Sequence, residues 1–176
     1  MLLLNVMRKI GWYDRTMNIH PLVVHFPIAL LTLYSVLEVL RRFTKQDFWK
    51  PLRAVLVVAG TVGAFASLQT GEIAEHAYGD GMRNILEMHA LTANISTYIY
   101  GFLAILYVID ALQARGQLKP YAWLSSIKNT VLNSVIADIG AIMGFALLGL
   151  VGALGGILVY GPDADFITSF VYSMLF

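Results

Sequence analysis

The sequence contains no cysteine, and that single absence removes several kinds of protein at once. Disulfides, iron–sulfur clusters, covalently attached c-type haem and thiolate metal sites all need the thiol. Charge is scarce too. Asp, Glu, Lys and Arg make up 13% of the 176 residues, about half the share usual in a soluble domain. The net charge of +1 gives no reason to expect a nucleic-acid partner. Hydrophobic residues, by contrast, reach 58%, which points to the lipid bilayer as the chain's main surrounding. Seven scattered methionines suit flexible filling of a packed bundle.

The opening "MLLLNVMRKIGWYDR" lacks the charge-then-apolar order of a secretory signal, and its apolar run is too short for one. Residues 1–19 are therefore expected to form a retained interfacial segment, with Trp12 and Tyr13 at headgroup level and Arg8 and Lys9 near phosphates.

Four later stretches are long and apolar enough to cross a membrane, which takes roughly 20 residues. The first is expected over His20–Arg41, with Pro21 in the first helical turn, where its missing N–H costs nothing. The second runs from Pro51 to Ala77 and is closed by Gly79. The third runs from Asn84 to Ala114 and ends at Gly116 and Pro120. The fourth runs from Asn129 to Tyr160 and stops at Gly161-Pro162. The expected fold is an all-α integral membrane protein: a four-transmembrane-helix bundle over residues 20–160, with the short N-terminal segment and a C-terminal tail over 161–176. That tail, "DADFITSFVYSMLF", is too short for a fifth span and suits a surface helix or a partner contact.

Loop charge predicts the orientation. Arg41, Arg42, Lys45, Lys50 and Arg53 surround the first connection, and Arg115, Lys119 and Lys128 the third. The second carries Glu72, Glu75, Asp80 and Glu87 against Arg83, and the tail adds Asp163 and Asp165. The positive-inside rule then puts both basic loops in the cytoplasm of a bacterium with the protein in its inner membrane, and both termini on the periplasmic side, although Arg8, Lys9 and Arg15 pull the other way.

This topology gathers His20, His25, His76 and His89 into one outer layer of the bundle. Each is awkward in hydrocarbon, and four of them from three helices point to a shared ligand site. Pro27 removes the helical bond to Val23 and is expected to bend the helix and aim His25 inward. Gln69, Glu72 and His76 form a polar stripe on the second helix, beside a small-residue stripe of Gly60, Ala64, Ser67 and Gly71. His89, Thr92 and Ser96 share a face of the third helix, and Gly140, Gly144, Gly149, Gly152, Gly155 and Gly156 line the fourth. Such glycines usually serve close helix packing, and they would equally leave room for a flat macrocycle. Asp110 and Asp138 are expected to pair with Arg53 or Lys128 near the cytoplasmic ends.

Neutral imidazole suits haem iron, zinc and copper. The leading expectation is b-type haem, one or two, held by His25, His76 and His89, with His20 as the fourth ligand if two haems bind. That makes the chain a membrane-anchored cytochrome-like electron carrier or redox-complex subunit rather than a stand-alone enzyme. It would exchange electrons at the outer face with membrane or periplasmic redox subunits or with quinol. The alternatives are a non-haem metal centre built on Glu72 with His76, and a cofactor-free structural or assembly subunit. Di-iron bundles want Glu-x-x-His twice, a spacing that this chain lacks.

The segments "HPLVVHFPIALL" (His20–Leu31), "TGEIAEH" (Thr70–His76), "LEMHALTA" (Leu86–Ala93) and "GGILVY" (Gly155–Tyr160) together resemble domain of unknown function 2231. That family comprises predicted four-helix bacterial membrane proteins. The resemblance implies the bundle and the histidine layer, and it implies no activity. The stretch "GPDADFITSF" after Tyr160 departs from the glycine- and valine-rich end of other members.

Overall fold

The computed structural model describes residues 19–44, 49–75 and 80–176, without the side chains of Ile73, Glu75 and Asp80. The expected interfacial segment (Trp12, Tyr13, Arg8, Lys9, Arg15), Lys45, His76 and the expected end of the second helix at Ala77 lie outside those residues. Helix α1 spans His20–Leu40, α2 Lys50–Glu75, α3 Arg83–Ala114, α4 Ala122–Leu132, α5 Val135–Tyr160 and α6 Phe166–Leu175. Four of them, α1, α2, α3 and α5, are long and apolar enough to cross a membrane. They run up, down, up, down. Helix α1 packs on α2, α2 on α3, α3 on α5 and α5 on α1, so α1 and α3 face each other across the diagonal.

Local chemistry sets the ends. Pro21 occupies the first turn of α1. Past α3 and α5, Gly116 (φ +69°) and Gly161 (φ +89°) adopt backbone that other L residues rarely take. The expected fourth helix differs from the structure. The chain breaks at Asn133-Ser134, and Ser134 caps α5 by accepting from the Ile136 N–H at 3.1 Å. A serine with its side chain on the N2 amide starts a new helix more favourably than it continues an old one. The residues before the break form α4, a short helix at the basic end, with Trp123 and Tyr121 exposed as interfacial aromatics are.

Exposed Leu22, Val62, Ile105, Phe145 and Val159 face outward, which in a bilayer means lipid. The interior depends on glycines that admit large neighbours. A Cβ on Gly60 would lie 2.6 Å from Leu31, and one on Gly63 would lie 2.9 Å from Phe26 and 3.3 Å from Pro27. Pro27 is buried, so its turn is a packing surface against α2. Tyr100 fills the space over Gly144, where a Cβ would lie 2.6 Å from its ring. Gly144→Ala is therefore expected to overpack the core by about 1–3 kcal/mol. Lower thermal stability in detergent, with the helical content of the folded state retained, is the result that checks it.

The tail forms α6, folded against α5 so that Val171 and Leu175 join a core cluster with Ile85, Leu154 and Ile157. Gly156 permits the contact, since a Cβ there would meet the Thr168 methyl at 3.2 Å. A capping box starts α6. The Asp165 carboxylate accepts from the amides of Thr168 (2.9 Å) and Ile167 (2.8 Å), and the Thr168 hydroxyl accepts from the Asp165 amide at 3.0 Å. The Thr168 amide, with that of Ile167, holds the Asp165 pKa below the usual carboxylate value. A depressed folded-state pKa stabilises above the unfolded value of about 3.9 and is lost as pH falls through the lowered value. Amide exchange in α6 is expected to accelerate selectively below about pH 4; unchanged protection there would remove the cap's role.

Candidate paired-histidine site

The starts of α1 and α3 and the ends of α2 and α5 meet at one end of the bundle, the histidine end. His20 and His89, from the diagonal helices α1 and α3, turn toward each other there. Their ring centroids are 6.4 Å apart and their planes cross at 84°. Both rings are partly buried. Nδ1 of His20 shares a hydrogen bond with the Thr70 hydroxyl at 3.0 Å, and that hydroxyl donates onward to the Ser67 carbonyl at 3.0 Å. The Val151 carbonyl on α5 accepts from Nδ1–H of His89 at 3.1 Å. This bond fixes the tautomer and leaves the lone pair of His89 on Nε2.

Each ring also lies over a glycine. A Cβ on Gly71 would sit 3.3 Å from Cε1 of His20, and one on Gly155 would sit 3.4 Å from Cε1 of His89. These two glycines make room for the imidazoles. Gly60, Gly63, Gly140 and Gly144 serve helix packing, and a Cβ on Gly149 or Gly152 would meet nothing within 4 Å.

Of the other expected ligands, His25 is placed differently. His25 is exposed, and its Nδ1 bonds to the carbonyl of Pro21 in its own helix. The inward aim expected from Pro27 is thus corrected. Five residues advance the helix by about 500°, so His25 stands about 140° around α1 from His20 and the two cannot share a face. His76 lies outside the described residues. Of the stripe expected to face inward on α2, Gln69 and Glu72 face out instead, since both are exposed. Its neighbour Gly60, Ala64, Ser67 and Gly71 takes the inner side. The α3 stripe is as expected, with Thr92 and Ser96 buried below His89. Among the described residues, no group of three His, Asp or Glu is placed to hold a metal ion.

At the opposite, basic end, Glu38 was not anticipated from the sequence. Glu38 on α1 is completely buried (0% exposed). It accepts from the Tyr107 hydroxyl at 2.6 Å and pairs with Arg41 at 2.8 Å and Arg53 at 3.7 Å. Arg41 reaches on to Asp138 at 3.0 Å and donates to the carbonyls of Leu132 and Ser134 at the break between α4 and α5. Arg42 pairs with the same Asp138. Asp110 is held by Lys50 and Lys128, each at 2.8 Å. The expected Asp110–Lys128 pair is present, whereas Asp138 takes Arg41 and Arg42, and Arg53 serves Glu38. The signal for Glu38 was a lone carboxylate inside the apolar run "LYSVLEVL".

These features define an integral membrane four-helix bundle with paired histidines at one end and a buried ion-pair cluster at the other. The chain belongs to the family described as "Predicted membrane protein (DUF2231)", which it matches over residues 16–164. No curated protein and no solved structure matches it significantly.

Proposed function

We propose that the protein is a membrane-anchored b-type cytochrome-like electron carrier with His20 and His89 as the axial ligands of one haem. The spacing of the pair carries this reading. Two in-line metal–imidazole bonds of about 2.0–2.1 Å, each extended by about 1.2 Å to the ring centre, separate the centroids by about 6.4 Å. The observed centroids are 6.4 Å apart. The number of ligands supports it too. A bare zinc ion wants about four protein ligands, whereas haem brings four nitrogens of its own and asks for two.

Haem would supply one-electron chemistry at the iron. The chain's own contribution is to hold and orient. Val151 fixes the His89 tautomer, Thr70 anchors His20, and Gly71 and Gly155 seat the rings. The charge of the basic loops supports a histidine end on the periplasmic side of a bacterial inner membrane. Electrons would pass there between the haem and a periplasmic or membrane redox subunit, or quinol. His25, exposed on α1, is no ligand in this reading, and the second haem is not retained. Haem and metal assays on protein expressed with ample haem test the proposal. It expects about one haem per chain and no stoichiometric zinc or copper; protein purified without haem contradicts it.

A further inference from the structure

A groove runs along the outer surface between α3 and α5. Ile95, Tyr98 and Leu103 of α3 and Ile136 and Gly140 of α5 wall it, and Val131 of α4 lies at its basic end. It holds about 430 Å³, and the Tyr98 hydroxyl is the one polar side-chain group among those six residues. Local chemistry leaves it open. Gly140 brings no side chain to the groove, where even a Cβ would come within 3.3 Å of Leu103. Ser134, in extended backbone, breaks the helix just before Ile136, so the wall passes from α5 to α4 there. From Ile95 to Leu103 the groove follows α3 for about 12 Å, close to the roughly 15 Å of hydrocarbon in one leaflet.

The basic end of the groove leads on to headgroup level. Trp123, Ile127 and Val131 recur every four residues and so share one face of α4, and Trp123 and Ile127 are exposed. That face carries the apolar track about 12 Å further, toward the stretch "RGQLKPYAW" (Arg115–Trp123). Arg115 and Lys119 are exposed there beside exposed Tyr121 and Trp123, the aromatic types that settle at a membrane interface.

Charge decides what fits. Among the described residues, the basic end carries seven cations against three carboxylates. Each carboxylate is already held: Glu38 by Arg41 and Arg53, Asp138 by Arg41 and Arg42, Asp110 by Lys50 and Lys128. The surplus falls on Arg115 and Lys119, which no described carboxylate pairs. A second copy laid in the groove with the same orientation would bring the same surplus to the same end, where like charges repel. An anionic headgroup neutralises that surplus, as it does at basic segments beside membrane helices generally.

We propose that the groove binds one anionic phospholipid, with an acyl chain between α3 and α5 and the phosphate at Arg115 and Lys119. The site uses neither the histidines nor the buried ion pairs, so it stands apart from the haem reading.

Native mass spectrometry of the full-length protein, stripped of lipid in detergent and titrated with phosphatidylglycerol or phosphatidylcholine, reads the occupancy. Wild-type protein is expected to bind phosphatidylglycerol saturably, one per chain, and phosphatidylcholine about 30-fold more weakly. Arg115→Gln/Lys119→Gln should bring phosphatidylglycerol down to the phosphatidylcholine level, and Ile136→Trp, which fills the groove, should weaken both lipids. Helical content and melting temperature report folding. Arg115 and Lys119 are exposed and outside the ion-pair cluster, so their double variant carries the test if Ile136→Trp fails to fold. Equal binding of the two lipids by wild type, or a folded double variant that still prefers phosphatidylglycerol, would overturn the proposal. A lipid-free dimer that Ile136→Trp splits would also overturn it and give the groove to a second copy.

Discussion

His89→Ala is expected to remove the haem absorbance that the proposed function gives the purified protein, and His20→Ala to do the same, while His25→Ala leaves the spectrum unchanged. The difference follows from where the three rings point. His20 and His89 face each other at 6.4 Å, whereas His25 is exposed and bonded within its own helix. A group that needs two axial ligands loses its seat when either is cut back to a methyl. Thr70→Val tests the support of the site more gently. It removes the hydroxyl beside Nδ1 of His20 while keeping the side-chain shape, and outer partners of this kind contribute about 10–100-fold to retention. The spectra of the four variants, normalised to protein, are the measurement. Loss of absorbance in His25→Ala with His89→Ala intact would assign the ligands to the wrong face.

The second large effect concerns stability. Glu38→Leu is expected to destabilise the protein by about 3–5 kcal/mol, because Arg41 and Arg53 then face an apolar side chain. For a chain of this size each kcal/mol moves the melting temperature by about 2–4 °C, so a loss on the order of 10 °C is expected. Coulomb attraction is not the main reason. Removing one partner of a buried pair leaves the other charge desolvated with less compensation. The double variant Glu38→Leu/Arg53→Met should therefore recover part of the loss. Arg41 keeps Asp138 and two carbonyls after Glu38 is gone, which limits its share of the penalty. A Glu38→Leu protein as stable as wild type would mean that the cluster is well hydrated.

How much of this was legible in the sequence depends on the range of the interaction. The four spans were readable because length and apolarity are local, and Pro21, Pro51, Gly116 and Gly161 marked some of their ends. Ser134 carried a capping signal, yet the apolar run hides it until the break between α4 and α5 is seen. That His20 and His89 lie at one end followed from topology. Which of them face each other needed the helical angle between His20 and His25, and that angle was available at about 100° per residue. The polar stripe of Gln69 and Glu72 was misplaced for a different reason. Small residues, not polar ones, face the partner in α2, since close approach in lipid favours glycine and serine. The salt-bridge partners were the least legible. Asp138 meets Arg41 and Arg42 because α5 neighbours α1, and the neighbour order of four helices is not written in any one of them.

The most direct test is a visible difference spectrum, dithionite-reduced minus air-oxidised, of the full-length protein purified in detergent after haem-replete expression. One low-spin haem held by two imidazoles predicts a sharp reduced α-band and a shifted Soret band that scale with protein and vanish together in His89→Ala. A flat difference spectrum from folded, monodisperse protein would contradict the assignment of His20 and His89 as haem ligands.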